Sequence, residues 1–337
     1  MSQRFDKTQI RSWTTLVWAL AGLGLLLLFN FLFTPGFFAV EVRGGHLYGV
    51  LIDILNHGSK VMLLSLGMAL VIATGGVDLS VGAVMAITGA IAARLMNAGN
   101  VPFPVVIGGS VAAAIVAGAW NGALVGGFRI QPIVATLILM VAGRGVAMLV
   151  TDGQIITFTD PRLVFVGNGH LLGLPFPVWL SATVLLVTMV VTRRTAVGLF
   201  IEATGDNQTA STCAGINAAT VKFVVYIFSG LCAGLAGLVA ASNIKCADSN
   251  HAGLFLELDA ILAVVIGGTA LTGGRFYLVG AVIGALFIQT LTTTMYMRNV
   301  SPDVAPVPKA LAILAVCLLQ SPALRGKLAK FAKLRPA

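Results

Sequence analysis

Apolar runs follow one another along almost the whole chain, each ended by glycine, proline or a charged cluster. A helix needs ~20 mostly apolar residues to cross the hydrocarbon layer. Breaks set at the punctuation give ten expected spans, at 13–34, 59–76, 79–97, 104–127, 130–151, 176–192, 221–243, 258–272, 276–297 and 306–321. The pattern predicts an all-α, polytopic transmembrane bundle of about ten spans with broken helices. The breaks fall in 59–97 and 258–297, and these two regions resemble each other. "ALVIATGGVDLSVGAVMAITGA" (69–90) and "LAVVIGGTALTGGRFYLVGAVIGA" (262–285) each pass from an apolar stretch through a double glycine and a polar break into a Gly/Ala-rich helix. Internal duplication of this kind is common in transporters, where broken helices line the substrate route.

Composition narrows the class without altering the elements. Of 337 residues, 58% are hydrophobic and 10% charged, against about 25% charged in an ordinary soluble domain. One membrane domain covering 1–337 is expected, with a polar loop at 193–222 and a basic tail at 322–337. The charged start "MSQRFDKTQIRSW" leads into an apolar run too long for a signal core, so that run stands as the first span. The net charge of +9 raises nucleic acid as a partner, but the basic residues are scattered through short loops rather than set on a polar face. Topology accounts for them. With both termini cytoplasmic, inner segments carry 13 of the 21 Lys and Arg, while the outer loops carry Arg43, Arg162, Lys245, Arg298 and Lys309. Cys213, Cys232, Cys246 and Cys317 match no metal or CxxC spacing and read as small apolar residues.

Polar residues inside the spans are the candidates for chemistry. Gly75 and Gly76 can end one helix and Asp78 stands where the next begins, so it reads both as a helix cap and as a residue bordering a translocation path. Ser80, Trp120, Asn121, Gln131 and Thr136 join it as substrate-pathway candidates. Trp120, Asn121 and Gln131 also read as interhelical hydrogen-bonding groups, and Gln131-Pro132 as a helix start. Arg144 requires an ion pair or a clamp on carbonyls. Glu257 and Asp259 sit where a helix N-terminus favours acid. Glycines and alanines across 108–127 and 229–241 permit close helix approach.

The polar stretch "RRTAVGLFIEATGDNQTASTCAGINAATVK" (193–222) is too polar to span and too organised for a linker. Asp206 or Asn207 can cap a short helix, 208–214, that stops at Gly215. Such a helix reads as a docking element for a soluble partner. The chain has no GxxxxGK[ST], HExxH or GxSxG, and His46, His57, His170 and His251 fall on outer loops or their edges. No enzyme activity and no metal site are expected of it.

Five strings, "ATGGVDLSVGAV", "AWNGALVGGFRIQPIVATLILMVAGRG", "GLFIEATGDNQTASTCAGI", "YIFSGLCAGLAG" and "LDAILAVVIGGTALTGG", resemble the permease subunits of ribose-type bacterial sugar ABC importers. Within that family the likeness is greatest to the galactofuranose branch. The resemblance implies a multi-pass inner-membrane protein that moves a monosaccharide, galactofuranose above ribose or another pentose or hexose, after delivery by a periplasmic binding protein. It implies a second, related permease subunit, a surrounding of membrane lipid, and a cytoplasmic ATPase with two cassettes in one chain. No cofactor is then held by this chain, ATP and Mg belonging to the ATPase. Gly205, Asp206, Asn207, Ala214 and Gly215 match the family's ATPase-coupling motif, and the binding protein would meet the outer loops 35–58, 152–175 and 244–257. The alternative is an ion-coupled secondary carrier, for which Asp78 and Arg144 are the available groups.

Overall fold

The computed structural model describes residues 2–301, 304, 306–311 and 314, with side chains from Leu16 onward. Twelve α-helices run in order through it. They are α1 Ser2–Phe33, α2 Val50–Ala73, α3 Val81–Asn97, α4 Phe103–Gly122, α5 Pro132–Val150, α6 Pro161–Asn168, α7 Phe176–Arg194, α8 Val197–Asp206, α9 Gln208–Cys213, α10 Ala218–Ile244, α11 Leu256–Ile266 and α12 Leu278–Met297. A wider turn, Ala123–Gly127, prolongs α4, and 306–311 is helical. Among the described residues seven helices are long and apolar enough to cross a membrane.

Connectors alternate between two ends of the bundle. One end carries the hairpins: β1 Glu41–Arg43 pairs antiparallel with β2 His46–Tyr48, and β4 His170–Leu171 with β5 Leu174–Pro175. Here too β3 Ile156–Thr157 pairs with β6 Cys246–Ala247, tying the α5–α6 connector to the one after α10. The opposite end carries 74–80, 128–131, 195–217 and 267–277. The core is built around α2 and α10, which are mostly buried, while α1 runs along the edge against α12 and is mostly exposed.

Gly-rich faces explain why α4 and α10 lie so close. A Cβ on Gly118 would sit 2.5 Å from the Tyr226 carbonyl oxygen, one on Gly122 2.8 Å from that of Phe223, and one on Gly126 2.5 Å from that of Ala219. These positions recur every four residues, so only hydrogen separates the two backbones along that stripe, the small-residue packing expected of 108–127.

Nine of the ten expected spans meet a helix, and the tenth, 306–321, lies mostly outside the described residues. Two boundaries differ. The second span starts at Val50, not 59, because Asp53, Asn56, His57 and Lys60 occupy one face of an otherwise apolar helix. The connector between α1 and α2 is therefore 34–49 rather than 35–58, and His57 lies within α2 rather than on a loop or its edge. The eighth span is an 11-residue helix, too short to cross, entered by a non-helical stretch that descends to α3. Gly82, in the first turn of α3, abuts the Gly253 carbonyl.

Candidate functional site

Asp78 lies in the break between α2 and α3 and is 1% exposed. The break begins because Gly75, at φ 78°, turns the chain out of α2. Asp78 Oδ1 accepts from the Ser80 backbone N–H at 3.0 Å and the Ser80 hydroxyl at 2.6 Å, and Oδ2 accepts from the Ser229 hydroxyl of α10 at 2.8 Å. Asn121 Nδ2 of α4 donates to Ser80 Oγ at 2.8 Å. One carboxylate thus holds a turn and joins three helices. Ser80 itself occupies the cap position of α3, so Asp78 is not the N-cap but secures the turn that precedes it.

Thr136 borders this cluster, its hydroxyl donating to the Val77 carbonyl at 3.3 Å, and the Tyr226 hydroxyl reaches the same carbonyl at 3.4 Å. Trp120 and Gln131 lie outside it. Trp120 is 56% exposed on the other face of α4, and Gln131 is exposed at the cap position of α5, with Pro132 opening the helix as its sequence pattern predicts. Ser229 completes the network and carries no local sequence signal, since a lone serine in a Gly/Ala-rich helix 151 residues away in sequence announces nothing.

The 195–217 segment folds as two short helices at a right place to meet both breaks. Gly205 near the end of α8 faces the Ala73 carbonyl so closely that a Cβ would overlap it. The same carbonyl accepts a hydrogen bond from the Gly274 N–H at 2.9 Å. A Cβ on Gly273 would lie 3.0 Å from the Gly75 nitrogen. The break after α2, the break after α11 and the end of α8 therefore meet through main-chain atoms. Asp206, exposed, lines a cavity of about 300 Å³ together with Gly268, Ala270 and Arg275 of the second break.

Local rules shape α9. The Asn207 side chain accepts from the Ala210 N–H at 2.9 Å, which caps the helix. Ala214 follows the last turn, and Gly215 adopts φ 86°. The Ile216 N–H then bonds to the Ser211 carbonyl at 2.9 Å and the Gly215 N–H to that of Thr212 at 3.0 Å, the paired closure that a left-handed residue allows. Lys222 Nζ of α10 donates to Gln208 Oε1 at 2.8 Å and braces α9 from behind. Of 208–215, Ser211 alone is buried, so the short helix projects.

Two further charged groups in the spans, Arg144 and Asp259, are engaged. Arg144 of α5 donates from Nη1 to the carbonyls of Ser249 at 3.0 Å and Ala252 at 2.5 Å, the carbonyl clamp of its two expected roles. The Ser249 hydroxyl also donates to the Ala147 carbonyl at 3.0 Å. The clamp fixes the non-helical stretch that leads into α11, an arrangement tolerated at this depth only where protein or a wet cavity surrounds it. Asp259 of α11 accepts from Lys309 Nζ at 2.9 Å and 3.1 Å in a largely buried pair. Lys309 therefore belongs to the packed bundle, not to an outer loop.

A family of transporter permeases, described as "branched-chain amino acid transport system / permease component", matches residues 50–319. The chain belongs to that family. It is 50% identical to the galactofuranose transporter permease protein YtfT of Escherichia coli K12 over 309 residues, 92% of this chain and 90% of that one. It is 37% identical to the fructose import permease protein FruF of Bifidobacterium longum over 317 residues, 92% and 88% of the two chains. It is also 37% identical to the ribose import permease protein RbsC of Escherichia coli K12 over 292 residues, 86% and 88%. No solved structure matches the chain.

Proposed function

We propose that this chain is a transmembrane permease subunit of an ATP-driven sugar importer, and that its sugar is galactofuranose. It acts in the inner membrane with the 195–217 end and both termini in the cytoplasm and the hairpin end outside. A periplasmic binding protein delivers the sugar to the hairpin end. A cytoplasmic ATPase with two cassettes in one chain, carrying the ATP and Mg, grips the projecting α9, and a second, related permease completes the membrane pair.

The observation that carries the reading is the junction of Gly205, Ala73 and Gly274. A force applied to α9 passes through rigid α8 to two helix breaks at once, with no side-chain linkage to absorb it. Gly205, Asp206, Asn207, Ala214 and Gly215 are then the coupling residues: the first makes the junction and the others shape or flank the docking helix. Galactofuranose is favoured because the galactofuranose permease relative is 50% identical while the ribose and fructose relatives are 37% identical. An ion-coupled carrier has less support, since Asp78 is held by three donors and Arg144 by two carbonyls.

Purification of the tagged chain from its native membrane in mild detergent, followed by mass spectrometry, tests this. Stoichiometric recovery of an ATPase and a second permease is expected; recovery alone, under conditions that preserve other such complexes, would overturn the reading. Asp206→Arg, at an exposed site, should cut uptake of labelled galactose at least tenfold without lowering membrane abundance. Unaltered uptake would remove the coupling role.

A further inference from the structure

The outer half of α2 carries polar residues at Asp53, Asn56, His57 and Lys60, a spacing that puts all four on one face. Asp53 and His57 are exposed, and Lys60 lies about 15 Å along the helix from its outer start at 1.5 Å per residue. Lys60 Nζ is 3.4 Å from His57 Nδ1, and among the described residues no carboxylate comes within ion-pair distance of it. Asn56 Oδ1 is buried with no hydrogen-bond partner. A titratable side chain at this depth faces a partner or a water-filled cavity. Here it faces a cavity of about 170 Å³, shared with Cys246 and Asp248 and walled by Gly89, Gly237 and Gly253.

The cavity sets two complementary polar groups, Lys60 and Asp248, among mostly apolar walls. Lys60 supplies donors and no acceptor, while the Asp248 carboxylate supplies acceptors and no donor. Asp248 Oδ1 already accepts from the backbone N–H groups of Asn250 and His251 and Oδ2 pairs with His251 Nδ1 at 2.8 Å, so one Oδ2 lone pair is left for a further donor. Gly237 and Gly253 are turned toward the backbones of Met85 and Gly82 and let these segments close around the cavity, whose walls Met85, Ile244 and Leu256 complete. The Arg144 clamp holds the wall that bears Asp248 and Gly253 in place.

We propose that this cavity is a sugar subsite on the outer half of the path, with Lys60 donating to one hydroxyl of a monosaccharide and Asp248 accepting from another. It rests on the permease reading given above. The polar face of α2 is the approach to it from the hairpin end, and the subsite holds the sugar weakly enough for onward release.

Two measurements test it on the assembled complex. In the first, Lys60→Met should lower uptake of labelled D-galactose, whose solutions contain the furanose ring, at least tenfold. ATP hydrolysis stimulated by loaded binding protein should stay within twofold of wild type. Unchanged uptake, or uptake and hydrolysis falling together at normal abundance, would overturn the subsite. In the second, a membrane-impermeant maleimide is applied to right-side-out vesicles and alkylation of Cys246 is followed by peptide mass spectrometry. Saturating galactose should slow alkylation severalfold in wild type; no protection would overturn the proposal, and this readout decides if Lys60→Met fails to accumulate. A wild-type complex that transports no sugar would instead overturn the function on which the subsite rests.

Discussion

Asp78 accepts from three donors in a site that excludes water. Asp78→Leu would leave those donors unmade, at about 1–3 kcal/mol for each buried group. Asp78→Asn keeps one acceptor oxygen and should lose less. Thermal unfolding of the detergent-solubilised protein, followed by size-exclusion fluorescence, should show a lower midpoint for both variants, clearly lower for Leu. Equal midpoints would mean that the network contributes nothing. The residues that obey local rules were readable beforehand. Asn207 capping a helix and Gly215 closing it depend on chain neighbours alone, and the structure has both where the spacing puts them. The partners of Asp78 and Asp259 were not readable, because Ser229 and Lys309 are 151 and 50 residues distant and only the packed fold selects them.

Helix existence followed from hydropathy, while helix ends followed from packing. The start of α2 was hidden because a polar stripe on one face lowers the average of a window that counts all faces alike. The descent into α11 was hidden because a re-entrant stretch and a loop have the same composition. Close packing, by contrast, leaves a sequence mark when it is made by glycine. Gly118→Leu should force α4 from α10, since even its Cβ meets the Tyr226 carbonyl oxygen at 2.5 Å. Gly108→Leu, with nothing within 4 Å of a Cβ, should be tolerated. The check is the yield of monodisperse protein: most of it lost for Gly118→Leu and near wild type for Gly108→Leu. A normal yield for the former would show that the two helices can separate without harm.

Over the whole molecule, the proposed drive and the proposed recognition occupy opposite ends. The 195–217 segment meets the bundle through the Ala73 junction, whereas the Lys60 cavity is built from α2, α3, α10 and the α11 entry. Replacing 195–217 with the corresponding segment of the ribose permease relative should therefore change which ATPase co-purifies while the order of preference among sugars in uptake assays stays the same. A changed sugar preference would show that the two ends are not separable. The junction itself is made of carbonyl oxygen, amide and glycine hydrogen. Such atoms are identical in every residue that fits, so mutation there can destroy the contact but has no graded alternatives to offer. A substitution at Gly205 or Gly274 can therefore break the link between α8 and the two helix breaks, but it cannot retune it.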